Sequence, residues 1–206
     1  MSRIWTIMIL AATAGCATTK QERPKPPVEL GDYVPLSIGS SWTYDMKYPG
    51  QDGEMTVALV GEKDGYMVDD KNGAYRITTE GLRDRDRYLV RYPLVVGTQW
   101  KTVVGPSAVE HTQITAVGAP CDALAGRFDD CLVVHSWIRR DEQMTLHIEW
   151  TWARGVGLVK LETDADIAGK GRVPQVRQSL KRHAINGISP SSPTAPEEGP
   201  SSWSKG

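Results

Sequence analysis

Two histidines, His135 and His147, lie in neighbouring segments whose side chains alternate between apolar and polar. If those segments pair as antiparallel strands about a turn at Arg140-Asp141-Glu142, His135 stands opposite His147, with Trp137 and Glu149 beside them. Directly opposed residues of a strand pair are close enough for two ring nitrogens to hold one cation, and Glu149 would supply a third donor of a zinc-type set. That chemistry depends on the register, because a slip of one residue sends the two rings to opposite faces. A solvent-facing pair holding nothing is the simpler expectation for His135 and His147, and no metal or cofactor is assigned.

The other reactive residue types point away from catalysis. The sequence contains no Gly-x-Ser-x-Gly elbow, His-Glu-x-x-His, phosphate-binding loop or dinucleotide fingerprint. Asp69-Asp70 and Asp129-Asp130 are adjacent, so on a strand each pair would split between two faces, which suits acid/base work poorly. Asp164 and Asp166 could share a face and read as solvated surface. No catalytic residue is assigned, and the expectation is a protein that is not an enzyme.

Aromatic residues are the remaining candidates. Pro35-Leu36, Gly39 and Trp42 recur at the same spacing as Pro93-Leu94, Gly97 and Trp100. Trp42 and Trp100, with Trp137, could offer flat surfaces to a sugar or lipid. The stronger reading is a folding device used twice, in which proline sets the chain direction, glycine makes the turn and tryptophan packs the end of a sheet.

The elements that would position these residues are strands. From Gln143 to Trp152, Met144, Leu146, Ile148, Trp150 and Trp152 share one face, and Thr145, His147, Glu149 and Thr151 the other. Period two over that length specifies a strand with one buried side. Ser41–Tyr48, Glu54–Val60, Tyr66–Asp69, Ala74–Thr79, Gln99–Val104, Glu110–Val117, Cys131–Arg139 and Leu158–Glu162 read likewise, with hairpin-type turns at Asp64-Gly65 and Asn72-Gly73. The charge-alternating run Arg83–Arg87 reads as a solvated turn, and the segment from Val176 to Ile185 fits a strand or a helix face. The expected fold is therefore all-β: one antiparallel sheet over residues 33–186, as a sandwich or an open or partial barrel.

The chain ends carry an address. Ile4–Ala12 is apolar but far too short to span a bilayer, follows a positive start at Arg3, and leads into Thr13-Ala14-Gly15-Cys16. Those residues resemble the lipobox of bacterial lipoprotein signal peptides. The resemblance implies removal of residues 1–15, with diacylglycerol on the Cys16 sulfur and an acyl chain on its new amine. Ala17 in place of an acidic residue implies the outer membrane in a Gram-negative cell. Residues 16–32, with Pro24, Pro26 and Pro27, read as an extended disordered linker, and 187–206 as a disordered Ser/Pro tail. Removing Cys16 from the three cysteines leaves Cys121 and Cys131, an even pair in an exported domain and so a disulfide candidate.

Leu124-Ala125-Gly126-Arg127-Phe128, then Cys131-Leu132-Val133-Val134, the two Pro-Leu-x-x-Gly-x-x-Trp copies and Gly155-Val156-Gly157-Leu158-Val159 together resemble a set of uncharacterised bacterial envelope lipoproteins. The likeness spans about residues 33–162. It implies a location and an all-β body, and it carries no catalytic residues.

With a net charge of −1 there is no reason to invoke nucleic acid. The expected partners are the membrane, through the lipid, and an envelope protein or an apolar ligand. The functional expectation is a binding or assembly module, with a carrier of a lipid or other apolar ligand as the alternative. An apolar cavity would favour the carrier and a filled core the module. The anchor is tested directly: Cys16→Ser is expected to move the protein from the membrane to the soluble fraction, and undiminished membrane association would refute lipidation.

Overall fold

The computed structural model describes residues 29–106 and 108–186. The signal segment, Cys16, most of the linker and the tail lie outside the described residues. A short helix α1 (Leu30–Tyr33) precedes twelve strands: β1 (Ser41–Tyr48), β2 (Gln51–Lys63), β3 (Tyr66–Asp69), β4 (Ala74–Thr78), β5 (Gly81–Arg83), β6 (Tyr88–Arg91), β7 (Gln99–Gly105), β8 (Ala108–Ala123), β9 (Gly126–Arg139), β10 (Met144–Ala153), β11 (Gly157–Ile167) and β12 (Gly171–Ala184). All pairings are antiparallel, in the order β6-β5-β4-β3-β2-β1-β12-β11-β10-β9-β8-β7. The chain is thus two six-stranded meanders joined where β1 pairs with β12, Ser41 opposite Ala184. The outer strands β6 and β7 come side by side, so the sheet curls into a nearly closed barrel. The segment that fits either strand or helix is strand β12.

The repeated sequence marks the start of each meander, and its backbone bonding repeats too. The Ser37 N–H donates to the Pro35 carbonyl and Gly39 N–H to Leu59 O. The Val95 N–H likewise donates to Pro93 O, and Gly97 N–H to Ile114 O. The partner residues answer in kind, Leu59 N–H reaching Ser40 O and Ile114 N–H reaching Thr98 O. Gly39 and Gly97 hold φ of 88° and 95°, left-handed values that a side chain would strain. Trp42 and Trp100 are 8 % and 7 % exposed, each with its indole N–H on a backbone carbonyl: Val156 O at 2.6 Å and Tyr88 O at 3.0 Å. The second of these bonds crosses from β7 to β6, where the sheet has no backbone ladder.

The same seam is bridged by charge. Glu110, only 2 % exposed, is ion-paired with Arg87 and accepts the Ser136 hydroxyl at 2.7 Å. Arg87 also lies over the Trp150 ring, 5.6 Å from its centroid. The turn expected to be merely solvated therefore supplies the partner of a buried carboxylate, since its last residue reaches across the seam.

At the end of the barrel formed by the β10–β11 turn, α1 acts as a plug. Leu30 and Tyr33 are fully buried, so the packed body reaches back beyond the Tyr33 at which it was expected to begin. Arg154 clamps the plug, its Nε on Asp130 at 2.8 Å and a terminal nitrogen on Asp32 at 2.9 Å. Tyr33 donates its hydroxyl to Asp130. Burial, reinforced by that carboxylate, pushes the Tyr33 hydroxyl up to about 12.

Of the two expected hairpin turns, one holds and one changes. Asp64 and Gly65, both at positive φ, form the two-residue turn between β2 and β3 as expected. Between β3 and β4 the turn is wider than Asn72-Gly73, because the Asp69 carboxylate closes it by accepting the Lys71 and Gly73 N–H groups at 2.8 and 2.7 Å. Trp42→Ala and Trp100→Ala should each lower the unfolding free energy by about 3–5 kcal/mol in urea titrations. A loss near zero at either would contradict the packing role.

Candidate functional site

The barrel interior holds a cavity of about 260 Å³. Trp42 and Tyr44 of β1, Met55, Val57 and Leu59 of β2, Tyr75, Leu82 and Leu89 on one side and Trp150, Trp152, Leu158 and Leu161 on the other line it, with Val34, Pro35 and Leu36 at the plugged end. Register explains the grouping. Trp42 opposes Val57 and Tyr44 opposes Met55, while Trp152 opposes Leu158 and Trp150 opposes Leu161, and directly opposed residues face the same way. The polar tips of the aromatic lining are turned onto the wall. Tyr44 donates its hydroxyl to Leu158 O at 3.0 Å, and Trp42 its N–H to Val156 O. Burial raises the Tyr44 hydroxyl far above its ordinary range, and burial with Asp69 nearby raises Tyr75 to about 12, so both stay neutral. Gly157 is required here, because a Cβ would come within 3.0 Å of the Trp42 indole nitrogen.

The three tryptophans named from sequence are not brought together. Trp42 lines the cavity, Trp100 packs the seam, and Trp137 lies on the outer face of the sheet beside His111 and His135. Trp150 and Trp152, which contribute most to the opposite wall, were legible as inward-facing residues. Nothing in their alternation distinguishes a cavity wall from a filled core.

The histidine pair is real but differently built. Strands β9 and β10 pair two residues out of the expected register: Ile138 faces Leu146 rather than Met144, and the connection spans residues 140–143. The cause is visible at the turn, where the Arg140 and Asp141 N–H groups both reach back to Met144 O and Asp141 Oδ1 accepts the Gln143 N–H at 2.7 Å. A slip of two preserves the face, so His135 and His147 stay on the same side as diagonal neighbours. His135 opposes Glu149, and His147 opposes Trp137. Their nitrogens, Nε2 of His135 and Nδ1 of His147, are 3.0 Å apart. With centroids 5.2 Å apart and rings 2° from parallel, the N···N line lies in both ring planes, the geometry of one shared N–H···N hydrogen bond. Trp137 extends the row to His111 at 5.3 Å between centroids.

Among the described residues, no group of three or more His, Cys, Asp or Glu side chains is placed to hold a metal ion, so Glu149 does not complete a set with the two histidines. Burial depresses His135, with His147 and Arg172 adding to the effect. Burial and Arg172 depress His147 against the opposing pull of Asp166 and Asp164. Glu149 is raised, first by burial and then by Glu162.

The remaining candidates are structural. Cys121 and Cys131 form a disulfide, Cα atoms 6.1 Å apart, near the tip of the β8–β9 hairpin. That tip lies against β12, with Leu124 N–H on Ser179 Oγ at 3.0 Å and Ala125 N–H on Leu180 O at 2.6 Å. Of the acidic pairs, Asp69 and Asp70 accept backbone N–H groups, Asp130 binds Arg154 and Tyr33, and Asp164 pairs with Arg177. Among the described residues no helix is long and apolar enough to cross a membrane.

No protein-family model matches the chain, and no curated protein matches it in sequence. Among solved structures it is similar to "a putative lipoprotein from Parabacteroides distasonis ATCC 8503", at 11 % identity and a TM-score of 0.39, over 74 % of this chain and 98 % of that one. A likeness that slight carries neither fold detail nor function across.

The depressed histidines set a pH dependence. Because the unfolded chain binds protons before the folded one does, their contribution is complete above the unfolded value near 6.5 and is lost as pH falls through the lower folded values. Stability should therefore decline as pH falls below about 6.5, and the double variant His135→Gln/His147→Gln should show a shallower decline. Glu149 works in the opposite direction and His183, depressed by burial, in the same one, but both are present in either protein. Equal slopes in urea titrations across that range would refute the assignment.

Proposed function

We propose that the chain is a lipid-anchored protein of the bacterial cell envelope that carries a small apolar molecule inside its barrel and catalyses no reaction. The observation that carries the reading is the cavity itself, about 260 Å³ with a lining almost wholly aliphatic and aromatic. Ligand sites are concave and mostly apolar, with few polar groups, and this one lies at the small end of their size range. The indole and hydroxyl groups of Trp42 and Tyr44 are already bonded to backbone, which leaves their ring faces to an occupant. An assembly module acting through its outer surface would have no use for internal space, so the carrier is favoured over it.

The lipobox resemblance supports the anchor, and Ala17 supports the outer membrane. Two or three acyl chains make membrane attachment stable where one does not.

Organic extraction of protein purified from its own membranes, followed by mass spectrometry, should yield one small apolar compound in stoichiometric amount. Val57→Trp, which places an indole in the cavity, should lose that compound while keeping the far-ultraviolet circular dichroism of the parent. Absence of any compound from the parent protein, or its full retention by Val57→Trp, would overturn the carrier reading.

A further inference from the structure

One side-chain amide in the cavity wall is left without a bond. Gln178 of β12 stands between Met46 of β1 and Leu161 of β11 in the sheet, lines the cavity and is only 5 % exposed. Among the described residues its side-chain amide makes no hydrogen bond, whereas the buried polar groups Glu110 and Ser136 are bonded to one another. A primary amide offers two N–H donors and a carbonyl acceptor, and leaving them unmet beside an apolar lining costs free energy. No Asp, Glu, Lys, Arg or His side chain lines the same space, so a charged group placed there would be stripped of water without a counter-ion.

Size narrows the occupant further. A cavity of about 150 Å³ accepts benzene. The present cavity of about 260 Å³ accordingly suits a molecule of roughly ten non-hydrogen atoms.

Resting on the carrier reading, the geometry points to an uncharged amphiphile as the ligand: a compact apolar body with one hydroxyl-type head that Gln178 orients by hydrogen bonding. The aromatic and aliphatic walls supply non-directional affinity, which scales with area and is indifferent to orientation. Gln178 supplies direction: the unbonded indole N–H groups of Trp150 and Trp152 in the same lining can only donate, whereas the amide offers a hydroxyl head both a donor and an acceptor against β12. A hydroxyl answers the amide as both donor and acceptor, whereas an alkane leaves it unmet and a carboxylate brings in a charge.

Naphthol and methylnaphthalene have the same shape and differ in one hydroxyl, and both fit the size limit. Their dissociation constants on the delipidated full chain can be read from tryptophan fluorescence, since Trp42, Trp150 and Trp152 line the site. Gln178→Met keeps the side-chain length and removes the amide. The ratio of the methylnaphthalene constant to the naphthol constant should be about tenfold larger in the parent than in Gln178→Met, and ionised naphthoate should bind neither protein. An unchanged ratio, with both hydrocarbon and alcohol bound by both proteins, overturns the role of Gln178 and leaves the carrier standing. Failure of every probe to bind the folded parent overturns both. Tight naphthoate binding overturns the uncharged class alone.

Discussion

The constraint on which this structure depends is closure of a twelve-stranded sheet whose two edges must meet without a backbone ladder between them. Eleven strand pairs satisfy their own hydrogen bonds, and the pairing of β1 with β12 brings the two meanders into one sheet. That pairing leaves β6 and β7 as free edges, which in an isolated sheet invite pairing with other chains. Here they face each other, joined by the Trp100 indole on Tyr88 O and by the buried Arg87–Glu110 pair held by Ser136. A buried ion pair is a weak source of net stability, since desolvation offsets much of the attraction. Its role at the seam is geometric: loss of Arg87 would strand the buried Glu110 carboxylate in the wall.

The cavity follows from the strand count. A barrel of about eight strands is just filled by its own side chains, and the diameter grows with each further strand. Twelve strands leave more room than aliphatic side chains occupy, and the chain responds with tryptophan and tyrosine on the inner face and with a helix-and-proline plug at one end. What stays unfilled is the space between the Trp42–Tyr44 wall and the Trp150–Trp152 wall. The outer face solves a different problem. There the rings of His111, Trp137, His135 and His147 form one near-parallel, half-buried row beside a band of paired charges from Glu162 to Arg177.

Much of this was readable residue by residue. The alternation in β10 assigned Trp150 and Trp152 to the buried side and His147 and Glu149 to the wet side, and both assignments hold because period two is a property of the backbone. The paired glycines and prolines marked the start of each meander for a similar local reason, and the cysteine pair is bridged. The register of β9 against β10 was not readable. It depends on how Asp141 and Met144 O close the intervening loop, and two registers that differ by two residues bury the same face. The helix-or-strand ambiguity at β12 had the same origin, since Val176, Leu180 and Ala184 satisfy either period until a partner strand is in place.

By itself, then, the sequence determined the class of fold, several of the turns and the inward and outward sides of the strands. These are set by steric preferences and side-chain alternation that act within a few residues. Tertiary structure alone decided that the two meanders close on each other, that Trp42 belongs to a cavity while Trp100 belongs to a seam, and that Gln178 lines that cavity with no hydrogen bond to its amide. Those outcomes depend on distances between residues far apart in the chain, and a barrel's radius is set by the number of strands that pair, which no single strand can encode.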